Sequence, residues 1–361
     1  MKRYTQLGLI ILLLALMAIV PVTAAATAGG ADIATSVKMA TGGGSPPVVM
    51  AKWETEPGDP SLESGDPTHM ISGSQFLPPG TFEGNKMINY YAVVTDEEDN
   101  GNVLGVYADV YHPDGTFKYQ IHYTQMSKSD GLAAYNAALA AGLITTPCSC
   151  TDNSVKSAVV STCGDPLFEL NKGTASVWMG QAQISYCQMD GNYLVKVRAV
   201  DQSQNPSEFL DNTFYYEPLT AAEYDFNAVD YGSVSMGPNL PATWRAGDTN
   251  FVTGDGKPTI RNVGNTRAQI KINQNDMGFG QDVNGIWNVQ FDARLGHVSE
   301  EPLYNPFTDH TLIDILDRSH TDELDFSIHV IKGFDAAKGT MTLSVLDPDT
   351  PKGPESACVS G

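Results

Sequence analysis

The sequence contains no G-x-S-x-G elbow, no G-x-x-x-x-G-K-[ST] loop and no H-E-x-x-H spacing. Those absences remove the usual hydrolase nucleophile, the P-loop phosphate cradle and the helical zinc-protease site from the expected functions. Basic residues are scarce: 21 Lys and Arg stand against 42 Asp and Glu, for a formal net charge of −21. A surface of that sign repels nucleic acid and anionic headgroups, so neither is an expected partner. There is no N-x-[ST] sequon with a permitted middle residue; Asn153-Ser154-Val155 and Asn212-Thr213-Phe214 both fail at the third position. Cysteines number five. After the first apolar run, no other stretch is long and apolar enough to cross a bilayer as a helix.

That first run is informative. Lys2 and Arg3 precede an uncharged stretch from Leu7 to Val20, and Ala26-Thr27-Ala28 comes next as an A-x-A cleavage site. The pattern is that of a secretory signal peptide over residues 1–28. An uncleaved signal anchor is the alternative, and it is the only expected route to a membrane. Gly (34) and Pro (21) are plentiful and charged residues make up 17%, a composition that suits turn-rich β structure outside the cell.

The order of the chain emerges from its periodicity. Residues 29–80 lack a sustained period and are interrupted by "TGGGSPP", "EPGDPSLESGDP" and "LPPG". They read as an extended segment, with one short strand around Trp53 docking on the first domain. From Lys86 the period becomes two. Val106, Ala108 and Val110 share a face, Pro113-Asp114-Gly115 turns the chain, and Phe117, Tyr119, Ile121 and Tyr123 share a face on the return. Tyr193, Val195, Val197 and Ala199 alternate with polar residues in the same way. This predicts a β-sandwich over 81–217. "SDGLAAYNAALAAGL" breaks the pattern and reads as a helix with Ser129 or Asp130 as N-cap, within an insertion over 128–168. A second sandwich is expected over 218–348, from "RAQIKIN", from Leu324, Phe326, Ile328 and Val330, and from Met341, Leu343 and Val345. A Pro-rich tail occupies 349–361. The fold class is therefore all-β, with two immunoglobulin-like sandwich domains.

Several strings resemble a known family. "PPVVMAKWE", "GDPTHMISGSQFLPPGTFEGNK", "YYAVVTDEED", "PTIRNVGNT", "DMGFGQDVNGIWNVQFDARLG" and "ELDFSIHV" are together similar to secreted surface proteins of methanogenic archaea. "GNYLVKVRAVDQSQNPSE" separately resembles the late strand and turn of bacterial and archaeal immunoglobulin-like domains, with Gln204 where such turns often have glycine. The first resemblance brings no catalytic residues with it. It implies a structural or assembly role in an archaeal envelope, such as a sheath or surface layer, with self-assembly or other envelope proteins as partners.

Four classes of candidate site remain. Cys148, Cys150, Cys163 and Cys187 lie on or beside the insertion and are expected to form two disulfides, the pairing left open; a four-thiolate metal site is the rival, although the paired C-x₂-C knuckles are missing. Cys358 is then left over on the tail and is the candidate for an intermolecular disulfide. Asp96, Asp99 and Asp201 lie in acidic turns at strand ends and are candidate calcium ligands. Asp309, His310, Asp314, Asp317, His320 and Asp322 form the densest group of potential metal ligands, which keeps a metal-dependent hydrolase as one alternative; a solvated connection between strands is the competing reading. A glycan- or polymer-binding module is the other alternative, with Trp178, Trp244 and Trp287 as candidate contacts, although core packing is the commoner fate of such residues.

Overall fold

A computed structural model describes residues 44–57, 74–98, 100–146, 164–296, 301–333, 336–348 and 358. The expected leader, residues 147–163 of the cysteine-rich insertion and all of the tail but Cys358 lie outside the described residues. Residues 42–361 form one compact unit. The chain is all-β, and two short helices are its only α-helices among the described residues.

The first half contains β1 (Val48–Thr55), β2 (Gln75–Phe76), β3 (Asn85–Thr95), β4 (Val103–Tyr111), β5 (Phe117–His122), β6 (Thr124–Gln125), α1 (Lys128–Ala140), α2 (Pro166–Lys172), β7 (Ala175–Ser185), β8 (Gly191–Asp201) and β9 (Leu210–Tyr216). One sheet runs β1-β3-β7-β6 and the other β2-β9-β8-β4-β5. All pairings within them are antiparallel except β2 with β9. Both strands from the segment expected to be extended, β1 and β2, are thus built into the two sheets.

The two sheets share a core. Ile88, Tyr90, Ala92 and Val94 of β3 meet Val106, Ala108 and Val110 of β4 and Tyr193, Val195, Val197 and Ala199 of β8. The expected faces of β4 and β8 are confirmed. On β5, Ile121 is buried but Phe117 is exposed, because the register shifts between Val110 and Tyr111 and sets Phe117 opposite Tyr111 instead of in phase with the core face.

The other face of the first sheet is also buried. Tyr91 and Val93 of β3, Trp53 of β1 and Val177 of β7 pack beneath α1 and α2, which contribute Tyr135, Ala138 and Leu170. A sheet covered on both sides loses the alternation of a half-exposed strand, which is why β3 reads as a nearly continuous apolar run. α1 starts slightly earlier than expected. Its N-cap is Ser127, whose hydroxyl accepts from the Asp130 amide at 3.2 Å, with Asp130 in the first turn. α2 is not among the expected elements, although "DPLFELNKG" holds its signals: Asp165 caps the first amides, Pro166 starts the helix, and Gly173 ends it at φ 88°.

The second half contains β10 (Ala222–Tyr224), β11 (Thr243–Arg245), β12 (Thr259–Asn262), β13 (Ala268–Gln274), β14 (Val289–Leu295), β15 (His310–Leu316), β16 (Thr321–Val330) and β17 (Met341–Leu346). β16 is the central strand of its sheet. Its first residues pair with β12, and its later residues lie between β11 and β14. The facing sheet runs β15-β13-β17. Leu324, Phe326, Ile328 and Val330 are buried as expected, against Ile270, Ile272, Phe291 and Leu312. Met341, Leu343 and Val345 are only partly buried, β17 being an edge strand.

The connector between the halves is held by the loop "NVGNT". Asn265 accepts from the Leu219 amide at 2.6 Å and donates to the Glu217 carbonyl at 2.9 Å. Gly264 lies so close that an added Cβ would stand 2.0 Å from the Leu219 carbonyl oxygen. Beside it the Arg261 guanidinium stacks over Phe82 of the first half at 4.5 Å and Phe251 at 3.9 Å, while it binds Glu223 through two nitrogens.

Candidate functional site

The least expected chemistry lies inside the first sandwich. Along β1 the side chains alternate: Ala51 and Trp53 face the helical layer, and Lys52 and Glu54 face the space between the sheets. Trp53 explains that orientation. It stacks on Tyr91 at 5.0 Å and meets Tyr135 edge-on at 5.8 Å, so the large apolar surface of β1 is used on the helix side. Lys52 and Glu54 are consequently carried into the interior, where they are 0% and 1% exposed.

Both find partners there. Lys52 Nζ donates to Glu54 Oε1 at 2.7 Å, to the Val195 carbonyl at 3.2 Å and to the Asn212 side-chain oxygen. Asn212 Nδ2 in turn donates to Glu54 Oε2 at 2.8 Å and to the Thr145 hydroxyl at 3.3 Å. Val195 and Asn212 face each other across β8 and β9, so the second sheet presents both as one set. Backbone bonds between Lys52 and Thr145, in both directions at 2.9 Å, close the free edge of β1 above the cluster. Burial lowers the Lys52 pKa, against the opposing attraction of Glu54 and Asp211. The arrangement is an amine, a carboxamide and a carboxyl group in mutual contact, with the amine and the carboxyl group shielded from water and the Asn212 carboxamide partly buried. Sequence reasoning misses all three residues. The alternation of "AKWE" signals a strand, but nothing in it says which face looks inward, and nothing local to Asn212 marks its partner 160 positions away.

Of the candidate calcium residues, Asp99 lies outside the described residues. Asp96 and Asp201 do fall at one end of the sandwich, where the Gln202 amide donates to the Asn102 carbonyl at 2.8 Å. Each carboxylate is engaged within its own turn. Asp201 accepts from the Asn205 amide at 2.7 Å and its side chain at 2.9 Å, and Asp96 accepts from the Glu98 amide at 3.0 Å and the Asn102 side chain at 3.3 Å. Among the described residues, no group of three or more His, Cys, Asp or Glu side chains is placed to hold a metal ion.

The cysteine expectation is corrected. Cys187 is bonded to Cys358, with their Cα atoms 5.5 Å apart, and so belongs to no pair within the insertion. Cys148, Cys150 and Cys163 lie outside the described residues. The tail thiol is therefore not free for a neighbouring molecule. Cys187 sits fully buried just after β7, and Gln188 donates to Cys358 Sγ at 3.2 Å. The expectation fails because it takes closeness in sequence for closeness in space.

The Asp- and His-rich stretch is dispersed over β15, the turn after it and the start of β16. Asp309 pairs with Lys271 at 2.9 Å, Asp317 with Arg267 at 2.7 Å, and His310 stacks on Tyr304 at 4.6 Å. Asp322 accepts from the Glu323 amide at 2.9 Å. Of the three candidate tryptophans, Trp178 is buried, Trp244 is half-exposed beneath the Arg294 guanidinium at 4.6 Å, and Trp287 lies against exposed Phe307 at 5.7 Å.

Compared with protein-family models and with curated proteins, the chain has no match. Among solved structures it is similar to the CsuC–CsuE chaperone–tip adhesion subunit complex of archaic Csu pili from Acinetobacter baumannii, at 10% identity over 75% of this chain and 96% of that one, with a TM-score of 0.27. A chaperone–tip adhesin complex of CFA/I fimbriae matches at 8% identity over 85% and 92%, with a TM-score of 0.25. The secreted serine protease VesC from Vibrio cholerae matches at 9% identity over 76% and 49%, with a TM-score of 0.16. Likenesses at this level carry no functional argument.

Proposed function

We propose that this protein is a secreted structural or assembly subunit of an archaeal cell envelope, such as a sheath or surface layer. The observation that carries the reading is the Cys187–Cys358 disulfide. It ties the end of the chain to the first sandwich and encloses the second half in one covalent loop. A bond of that kind persists in an oxidising, extracellular setting. The signal-like N-terminus, the acidic composition and the resemblance to secreted surface proteins of methanogens support the same reading. Fractionation of the native cells with an antibody to the protein tests it. The protein is expected in the envelope fraction, with Cys187 and Cys358 recovered as a disulfide-linked peptide pair. Recovery from the cytosol with both thiols free would overturn the reading.

A second reading, an extracellular glycan- or polymer-binding module, draws on one feature. Trp287 and Phe307 lie together, and Ile286 and Val283, close to Trp287 in sequence, are exposed. Co-sedimentation with isolated wall polymer, lost in Trp287→Ala, is its expected signature; equal sedimentation of the variant would remove it.

A further inference from the structure

We propose that Lys52 and Asn212 become joined by an intramolecular amide bond between Nζ and Cγ, formed autocatalytically with Glu54 as the proton-transfer group. The proposal stands on the geometry of the interior cluster and does not depend on the envelope reading.

Forming an amide from an amine and a carboxamide has four requirements, and the cluster meets each of them. The amine must lose a proton to expose its lone pair. Burial of Lys52 favours that neutral form, as it does for other desolvated nucleophilic lysines. The carboxamide must be held against the amine, and Asn212 is held there by contacts of its oxygen with Nζ and of its nitrogen with Glu54 and Thr145. A proton must travel from the attacking nitrogen to the departing one. Glu54 touches both, with Oε1 at 2.7 Å from Nζ and Oε2 at 2.8 Å from Nδ2. Water must be kept from the reacting groups, so that hydrolysis of the carboxamide does not compete; Lys52 and Glu54 have almost no exposed surface, and Asn212 is partly buried against them.

The step balances within these three side chains. The ammonium passes one proton to the Glu54 carboxylate. Nζ then attacks Cγ of Asn212, and the Nζ–Cγ bond forms. Glu54 delivers its proton to Nδ2 and takes another from Nζ. The Cγ–Nδ2 bond breaks and ammonia leaves, with Glu54 left as the neutral acid. No oxidant, metal or cofactor takes part. A purely structural account of the same residues is weaker, because a buried ion pair seldom stabilises more than well-packed apolar side chains of similar volume. The product would be an uncharged amide in place of that ion pair, joining the first strand of one sheet to the last strand of the other.

The test is intact-mass measurement and tryptic mapping of the full-length protein after reduction. Lys52 in an amide is not a trypsin site, so residues 39–86 and 199–245 are expected as a single branched peptide, lighter than their sum by one ammonia. Fragmentation should place the branch at Lys52 and Asn212. The isosteric variant Glu54→Gln is expected to yield the two peptides separately, with cleavage after Lys52. If wild-type protein that is folded by circular dichroism gives full mass and cleavage after Lys52, the site is a buried ion pair only and the proposal is overturned. If Glu54→Gln still gives the branched peptide, the role assigned to Glu54 is overturned.

Discussion

His112 comes directly after β4, with its ring 5.6 Å from that of Tyr193. Burial, then the charge of Lys118, lowers its pKa from 6.5 to about 4, against the opposing pull of Asp114. The folded state thus prefers the neutral ring, and between those two values the unfolded chain binds more protons. The contribution is complete above pH 6.5 and is lost as pH falls through about 4. Urea titrations at a series of pH values should show stability declining over that window, and His112→Gln should flatten the decline. An equal decline in the variant would assign the acid sensitivity elsewhere. Other residues define the limit of what single positions reveal. Asp201 is legible as a turn residue, but its engagement by Asn205 depends on a conformation that composition does not show.

At the scale of elements, the sign of a substitution in α1 distinguishes packing from propensity. Gly131 lies in the helix, where replacing glycine by alanine ordinarily stabilises by about 1 kcal/mol. Here the added Cβ would meet Val177 Cβ at 2.9 Å, on a rigid β-branched residue of β7. Gly131→Ala is therefore expected to lower the denaturation midpoint, at a cost of roughly 1–3 kcal/mol for overpacking. A raised midpoint would show that the helix can move away from the sheet. The same layer explains what the sequence reveals about elements and what it conceals. β8 is plain because one of its faces meets the core and the other is more exposed, so Tyr193, Val195, Val197 and Ala199 alternate visibly. β1 is concealed because both of its faces are covered, and the apolar one meets helices instead of the opposing sheet. A pattern of alternating residues gives the period of a strand but not the identity of the layer on each side. Hence Lys52 and Glu54 look solvent-facing in the sequence, and the candidate site they form cannot be read there. α2 is the opposite case: Asp165, Pro166 and Gly173 state its boundaries locally, yet its single buried residue, Leu170, gives no period to notice.

For the whole molecule, the bond between Cys187 and Cys358 closes a loop with a sequence separation of 171. The chain-entropy relation gives about 5 kcal/mol for a loop of that length. Cys358→Ser should therefore lower the thermal midpoint of the second half, read by calorimetry, while leaving the monomeric mass on non-reducing gels unchanged. An unchanged midpoint would mean that the Asn265 and Gly264 clasp already holds the halves without the bond. The spacing of the two cysteines also bears on how the protein is made. If the protein is exported as proposed, a chain crossing a membrane from its N-terminus delivers Cys148, Cys150, Cys163 and Cys187 well before Cys358 arrives. During that interval the earlier thiols can reach one another and the proper partner is absent. Maturation then requires either that Cys187 be sequestered beside β7 as it folds or that a wrong early bond be exchanged once the tail emerges. On the proposed secreted reading, the slow step in producing this protein is thus expected to be thiol exchange after export, in place of strand assembly, and its rate should follow the redox conditions outside the cell.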